Sequence, residues 1–315
     1  MLMRRVLVTS PPMLLALDRF QDLMHQHALE PIYHPELRSF DKPELIQQVR
    51  LADGWILGDD EVNEDVLTIA AQTGLRTIVK WGIGVDNIDF AAASRLGVQV
   101  RNTPDMFGDE IADLAMHYVT GLARDTFQIH KGVLAGSWPK PAGLSLKGRV
   151  AGVVGYGSVG REVVRRLLAA RMRVRVYTRT AARFDRSDPD CELLPWPEQI
   201  EELDFVILCC PLTPQTRHMI GADFFARCRS GVRLVNVARG GVVDSHALVT
   251  ALREGKVAGA ALDVFEQEPL PANDNLRDFE QVIFGSHNAS NTVDAVDRTS
   301  HAAIEKLVEL MDSGK

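Results

Sequence analysis

Cysteine is scarce in this 315-residue chain. Its four residues, Cys191, Cys209, Cys210 and Cys228, show neither a C-x-x-C pair nor the Cys/His spacing of a zinc site. No disulfide framework and no metal site are implied, and a reducing cytoplasm fits. Long hydrophobic runs are missing too, none approaching the ~18 residues of a membrane span. Met1–Leu17 has the basic start of a signal peptide, but Pro11-Pro12 interrupts the apolar run and Asp18-Arg19 ends it. Positive charge is not in excess: 35 Lys+Arg face 42 Asp+Glu, a net charge of −7, with no basic run. That balance argues against nucleic acid or an anionic membrane as partner. There is no internal repeat and no low-complexity segment. What remains is a soluble, cytoplasmic, globular chain, 46% hydrophobic, of a length that suggests two domains of about 150 residues.

Short apolar stretches alternate with helix-period segments nearly throughout, the pattern of α/β layering with parallel sheets. Strands are expected near 5–9, 54–57, 77–80, 98–101, 150–154, 173–178, 204–209, 233–237, 258–264 and 281–285. Helices are expected near 13–28, 43–51, 63–73, 88–96, 109–134 and 293–311. The expected architecture is two Rossmann-like or flavodoxin-like doubly wound domains with a cleft between them. The last helix is expected to return to the first domain. A substrate domain would then comprise 1–101 plus 288–315, and a nucleotide domain 102–287.

The second α/β unit opens on Val150-Ala151-Gly152-Val153-Val154, followed by Gly155-Tyr156-Gly157-Ser158-Val159-Gly160. A strand, a G-x-G-x-x-G turn and a helix start are the order of a dinucleotide-binding βαβ unit. Gly155 permits the tight turn and Gly157 lets backbone approach a pyrophosphate. Gly160 lets the helix pack on the strand, and the helix N-terminus presents N–H groups to phosphate.

Ligands of open α/β sheets bind at the carboxyl ends of the strands. Three expected strands of this half deliver titratable residues there. The strand at 233–237 leads to Arg239-Gly240-Gly241, the one at 258–264 to Glu266-Gln267-Glu268, and the one at 281–285 to His287. Reduction of a carbonyl by hydride needs a proton donor, and histidine titrates nearest neutrality. A carboxylate beside the ring favours its protonated form, and an arginine fork can grip a substrate carboxylate. Together they describe a 2-oxo acid reductase. Position alone does not choose between Glu266 and Glu268.

Further motifs run in order along nearly the whole chain: Gly84-Val85-Asp86-Asn87-Ile88-Asp89, Asn102-Thr103-Pro104, Pro211-Leu212-Thr213-Pro214-Gln215-Thr216, Asn236 to Gly241, and Ala261 to Pro269. With the glycine fingerprint and Ser286-His287, these resemble the D-isomer-specific 2-hydroxyacid dehydrogenases. The resemblance implies Arg239 as the substrate-binding arginine, His287 as the acid/base and Glu268, the residue before Pro269, as its partner. It implies a cofactor site at Gly155, Tyr156, Gly157, Ser158, Val159, Gly160, Pro211, Thr216, Ala238 and Asp263, with Asp263 on the nicotinamide carboxamide. Ile83 and Gly84 match the loop that receives the substrate carboxylate.

Two departures from that pattern carry further expectations. Members that use NAD usually place an aspartate about 18 residues beyond the last fingerprint glycine, where this chain has Thr178 followed by Arg179 and, further on, Arg183. A hydroxyl and two cations suit a 2′-phosphate, so NADP is expected, with NAD possible. Phosphoglycerate dehydrogenases carry an Arg-Ser pair where this chain has Gly58-Asp59-Asp60-Glu61. Such acids would repel a phosphorylated substrate, or simply open a helix capped by Asn63. The expected activity is NADPH-dependent reduction of a glyoxylate- or hydroxypyruvate-type acid. Alternatives are an NAD-dependent D-3-phosphoglycerate dehydrogenase and, in another class, a nucleotide-sensing corepressor-like binding protein. A homodimer is expected, with the 109–134 helix as a face.

Overall fold

A computed structural model of the chain describes residues 3–38, 40–184 and 187–313, and of Arg183 only the backbone. The chain divides into two compact units, Met1–Met106 with Asn291–Lys315, and Phe107–Ser290. Each is an α/β unit built on a parallel sheet.

The first unit contains β1 (Arg4–Val8), β2 (Leu29–Ile32), β3 (Gly54–Leu57), β4 (Thr77–Lys80) and β5 (Gln99–Asn102), in the order β2-β1-β3-β4-β5. Every residue of β3 and β4 is buried, as expected of central parallel strands covered on both faces. Strand β2 was not expected: it is an edge strand that contains Pro31, and proline is tolerated only where no ladder donor is needed. The helix Glu64–Thr73 starts at Asn63, whose side chain accepts the Val66 N–H at 3.2 Å, and stops at Gly74 with φ 97°. The acids Glu64 and Asp65 in its first turn favour the dipole end. The stretch expected as a helix over 13–28 is three short pieces, Pro11–Leu14, a 3-10 turn Leu17–Phe20 and Gln21–Gln26. The last helix, Val293–Ser313, packs on β3 and β4 of this same unit. The Trp81 indole donates to Ser300 Oγ at 3.0 Å, and the Lys306 amine to the Asn102 carbonyl at 2.8 Å.

The second unit contains β6 (Val150–Val154), β7 (Arg173–Tyr177), β8 (Cys191–Leu193), β9 (Phe205–Leu208), β10 (Val232–Asn236), β11 (Val257–Leu262) and β12 (Val282–Phe284). Their order is β12-β11-β10-β9-β6-β7-β8, so the winding reverses between β6 and β9, where doubly wound sheets bind their ligands. Edge strand β8 has three residues and no apolar alternation to announce it. The single helix expected over 109–134 is two helices, Gly108–Arg124 and Thr126–Leu134. Asp125 breaks it in the left-handed region, φ 51°, which short polar residues tolerate better than most. Gly108–Arg124 buries Ile111, Ala115, Val119 and Leu122, whereas Thr126–Leu134 buries none of its residues. Among the described residues no helix is long and apolar enough to cross a membrane.

Candidate active site

Strand β6 ends at Val154 and is followed by Gly155, whose φ of 102° closes the turn. A Cβ there would stand 2.7 Å from the Cys209 carbonyl carbon, and one on Gly160 would stand 2.1 Å from the Gly155 oxygen. Both positions exclude any side chain. At Gly157 a Cβ would meet nothing within 4 Å, so the space over the helix start is open. The helix Ser158–Ala169 follows with Gly157 as its N-cap and no side-chain cap, which leaves its first N–H groups for an anion. Ser158, Val159 and Gly160 supply those groups, and Tyr156 packs its ring against Phe184 at 5.4 Å between centroids. The arrangement fits a dinucleotide pyrophosphate.

Thr178 follows the end of β7, half-buried, its hydroxyl accepting the Thr180 N–H at 3.2 Å. Arg179 is exposed and its charge reaches Cys210, whose thiol burial pushes up to about 11 against the pull of that arginine. The Arg183 side chain lies outside the described residues. Beyond β9, Thr216 folds the 211–216 loop on itself, donating to the Pro211 carbonyl at 2.7 Å and accepting the Thr213 N–H at 2.8 Å.

The loop after β10 is shaped by buried Asn236, which accepts the Ala238 N–H and donates to the Arg239 carbonyl, both at 3.0 Å. Gly240 then passes directly beneath the next loop. A Cβ there would lie 1.8 Å from the Phe265 carbonyl carbon, so the Gly-Gly after Arg239 brings the β10 and β11 loops together. On the second of these loops, Glu268 accepts the Phe265 N–H at 2.8 Å with Oε1 and meets His287 Nδ1 at 2.6 Å with Oε2. Both side chains are 34% exposed. Burial raises the Glu268 pKa, but the His287 hydrogen bond, the Phe265 N–H and the charges of His287 and Arg239 outweigh it. Its carboxyl therefore titrates below the ordinary carboxylate range. Arg239, half-buried, acts on Glu268 through this charge and donates Nη1 to the Ala238 carbonyl at 2.8 Å.

The neighbouring carboxylate is committed elsewhere. Glu266 Oε1 pairs with His218 Nε2 at 2.5 Å, and Oε2 accepts the Ser245 N–H at 3.1 Å. Two carboxylates two residues apart thus serve different partners, a distinction that spacing could not supply. His218 was not singled out in the sequence, where it reads as one loop histidine among nine. Asp263 is buried, 1% exposed, with its carboxylate turned to the segment after β12. It accepts the N–H groups of Asn288 at 3.2 Å and Ala289 at 2.9 Å. The Tyr118 hydroxyl, carried by the helix Gly108–Arg124, also bonds to it. Nothing in the local pattern around Tyr118 signals this, because its partner is far along the chain.

Ile83 and Gly84 belong to the first unit, in the loop after β4. Asn102 donates to the Ile83 carbonyl at 3.1 Å and Thr103 accepts the Gly82 N–H at 2.8 Å, so β5 fixes the loop. At the same strand ends the Lys80 amine bonds to the Gly58 carbonyl at 2.6 Å and to Asp59 at 2.7 Å.

Residues 116–289 match the family described as D-isomer specific 2-hydroxyacid dehydrogenase, NAD binding domain. The chain is 32% identical to a glyoxylate reductase of Thermococcus gammatolerans over 297 residues, which span 91% of this chain and 88% of that protein. It is 33% identical to a D-3-phosphoglycerate dehydrogenase of Methanocaldococcus jannaschii over 98% of this chain and 58% of that one. Among solved structures, the TT0316 protein of Thermus thermophilus superposes with a TM-score of 0.86 at 31% identity, covering 98% of this chain and 97% of that one.

Proposed function

The chain belongs to the D-isomer-specific 2-hydroxyacid dehydrogenase family, and from that premise we propose that it reduces a small, unphosphorylated 2-oxo acid of the glyoxylate or hydroxypyruvate type with NADPH. The protein is an oxidoreductase that uses a nicotinamide dinucleotide to transfer hydride to a 2-oxo acid. The observation that carries the catalytic part of this reading is the 2.6 Å contact between His287 Nδ1 and Glu268 Oε2, with the Arg239 charge acting on the same carboxylate.

The bound dinucleotide supplies the hydride. In this reading protonated His287 donates its Nε2 proton to the carbonyl oxygen while Glu268 holds the Nδ1–H and favours the charged ring. A carboxylate held below its ordinary range stays ionised for that task. Arg239 grips the substrate carboxylate. The fingerprint residues 155–160 bind the pyrophosphate, and Pro211, Thr216 and Ala238 line the cofactor. Asp263 has about four acceptor sites, of which three are used within the protein, and the last is assigned to the carboxamide.

The preference for NADPH rests on Thr178, where an aspartate would repel a 2′-phosphate, and on Arg179 and Arg183. The preference for an unphosphorylated acid rests on Asp59, Asp60 and Glu61 after β3, with the nearby Lys80 amine already bonded to Asp59. Oxidation of 3-phosphoglycerate is the second reading, favoured by the likeness to the Methanocaldococcus enzyme. The assembly proposed is a homodimer, to which exposed Leu134 and Trp138 contribute apolar surface.

A panel of glyoxylate, hydroxypyruvate, pyruvate and phosphohydroxypyruvate, each assayed with NADPH and with NADH, tests the reading. Glyoxylate or hydroxypyruvate with NADPH should give the highest kcat/KM. Preference for phosphohydroxypyruvate with NADH would replace it by the second reading.

A further inference from the structure

We propose that Tyr118 and Asp263 are positioning residues for His287, acting through the backbone of the turn that carries it. Strands β11 and β12 are neighbours, with Leu262 opposite Phe284, so the residues that follow them emerge side by side. The first after β11 is Asp263, and the turn after β12 is Gly285-Ser286-His287. Gly285 donates its N–H to the Leu262 carbonyl at 2.8 Å, and His287 donates its own to the Asp263 carbonyl at 2.6 Å. The Asp263 carboxylate then takes the next two N–H groups, those of Asn288 and Ala289.

Four anchors, at residues 285, 287, 288 and 289, hold a residue in an unusual backbone state. His287 has φ 56°, in the left-handed region that non-glycine residues seldom enter. Such a conformation persists only where its surroundings over-determine it. Tyr118 completes the surroundings. A Cβ on Gly285 would stand 2.2 Å from Asp263 Oδ1 and 2.6 Å from the Tyr118 hydroxyl oxygen. The carboxylate and the phenol therefore converge over Gly285, the one residue type that admits both. Asp263 is 1% exposed and Tyr118 4%, so water cannot replace a lost donor at this carboxylate. Burial first, then the charge and hydrogen bond of Asp263, push the Tyr118 hydroxyl well above the ordinary tyrosine range. It stays a donor at every working pH.

The turn aims the imidazole. Glu268 is anchored independently by the Phe265 N–H, so the 2.6 Å contact to His287 Nδ1 needs both sides fixed. Around this pair stand Glu268 itself from the loop after β11 and Arg239 from the loop after β10. Asp263 and Tyr118 lie behind the turn. Loosening the turn weakens the hold of Glu268 on the charged ring, which moves the loss of reductive activity to lower pH.

The inference rests on the reading of His287 as proton donor, and Tyr118→Phe tests it by removing one hydroxyl and keeping the ring. Three readouts are taken: kcat for reduction, KM for NADPH, and the pH dependence of kcat. We expect kcat to fall about tenfold and the KM for NADPH to stay within about twofold. The pH at which kcat is half-maximal should move down. Asp263→Asn, which cannot accept the same N–H groups with its amide nitrogen, should change kcat and the pH profile in the same direction and further. A Tyr118→Phe enzyme with wild-type kcat and pH profile overturns the inference, even if its melting temperature falls. A rise in KM for NADPH at unchanged kcat also overturns it, since the network would then serve the cofactor. An active His287→Ala enzyme would instead remove the premise. With His287→Ala inactive, an unaltered Tyr118→Phe enzyme sinks the positioning role alone.

Discussion

The two units of this chain share an architecture and differ at their strand ends. In the first, polar side chains at the ends of the parallel strands are spent on one another. The Thr9 hydroxyl accepts the Trp55 indole N–H and the Gly58 N–H, each at 3.0 Å, and Lys80 is taken by Gly58 and Asp59. In the second, the space over Gly157 is open, and His287 and Glu268 reach each other while each remains partly exposed. Sheet order alone would assign a ligand to either unit. Which one does chemistry depends on the side chains that the strands deliver and on what those side chains already hold.

If the chemistry belongs to the strand ends of the second unit, the largest effect comes from His287→Ala. Its kcat should fall about a thousandfold, with NADPH affinity, read by fluorescence titration, nearly unchanged. Glu268→Gln comes next, lowering kcat about a hundredfold, whereas Glu266→Gln, two residues away but paired with His218, should cost about twofold or less. Equal losses in the two variants, measured side by side, would erase the distinction between these carboxylates. The same pair gives a pH signature. Glu268 is an acid whose pKa is lowered, so its charge and the stability it brings are present above about pH 4.3 and lost only as pH falls through the lowered value. Activity should therefore hold to a pH below the ordinary glutamate range, and this acidic limb should be absent from the profile of Glu268→Gln.

A smaller change separates cofactors. Thr178→Asp at the end of β7 should move the NADPH/NADH ratio of kcat/KM about tenfold towards NADH. The smallest effect on turnover belongs to the first unit. Thr9→Val strands two buried donors and should lower stability by about 2 kcal/mol, read as a drop in the urea midpoint. Its kcat should stay within about twofold of the parent. A large loss of kcat without loss of stability would mean that Thr9 does more than tie its own loops.

Much of this was legible in the sequence, and the exceptions have physical causes. Buried central strands such as β3, β6 and β9 declare themselves as apolar runs, and Asn63 and Gly74 bracket their helix by local capping chemistry. Edge strands β2 and β8 do not, since one holds a proline and the other only three residues. Asp125 breaks the long helix without a glycine or proline to mark it. At the site, strand-end position picked out Arg239 and His287, which need no knowledge of packing. The pairing of Glu266 with His218, and the approach of Tyr118 to Asp263, are long-range contacts. No local pattern encodes them, because they arise only when β10, β11, β12 and the helix Gly108–Arg124 are packed together.

The most direct test of the central claim is the ratio of kcat/KM for NADPH to that for NADH, measured on the unmodified enzyme with glyoxylate as the acceptor. The strand-end account, with Thr178 and Arg179 at the end of β7, predicts a ratio of about ten or more in favour of NADPH. A ratio below one would contradict it.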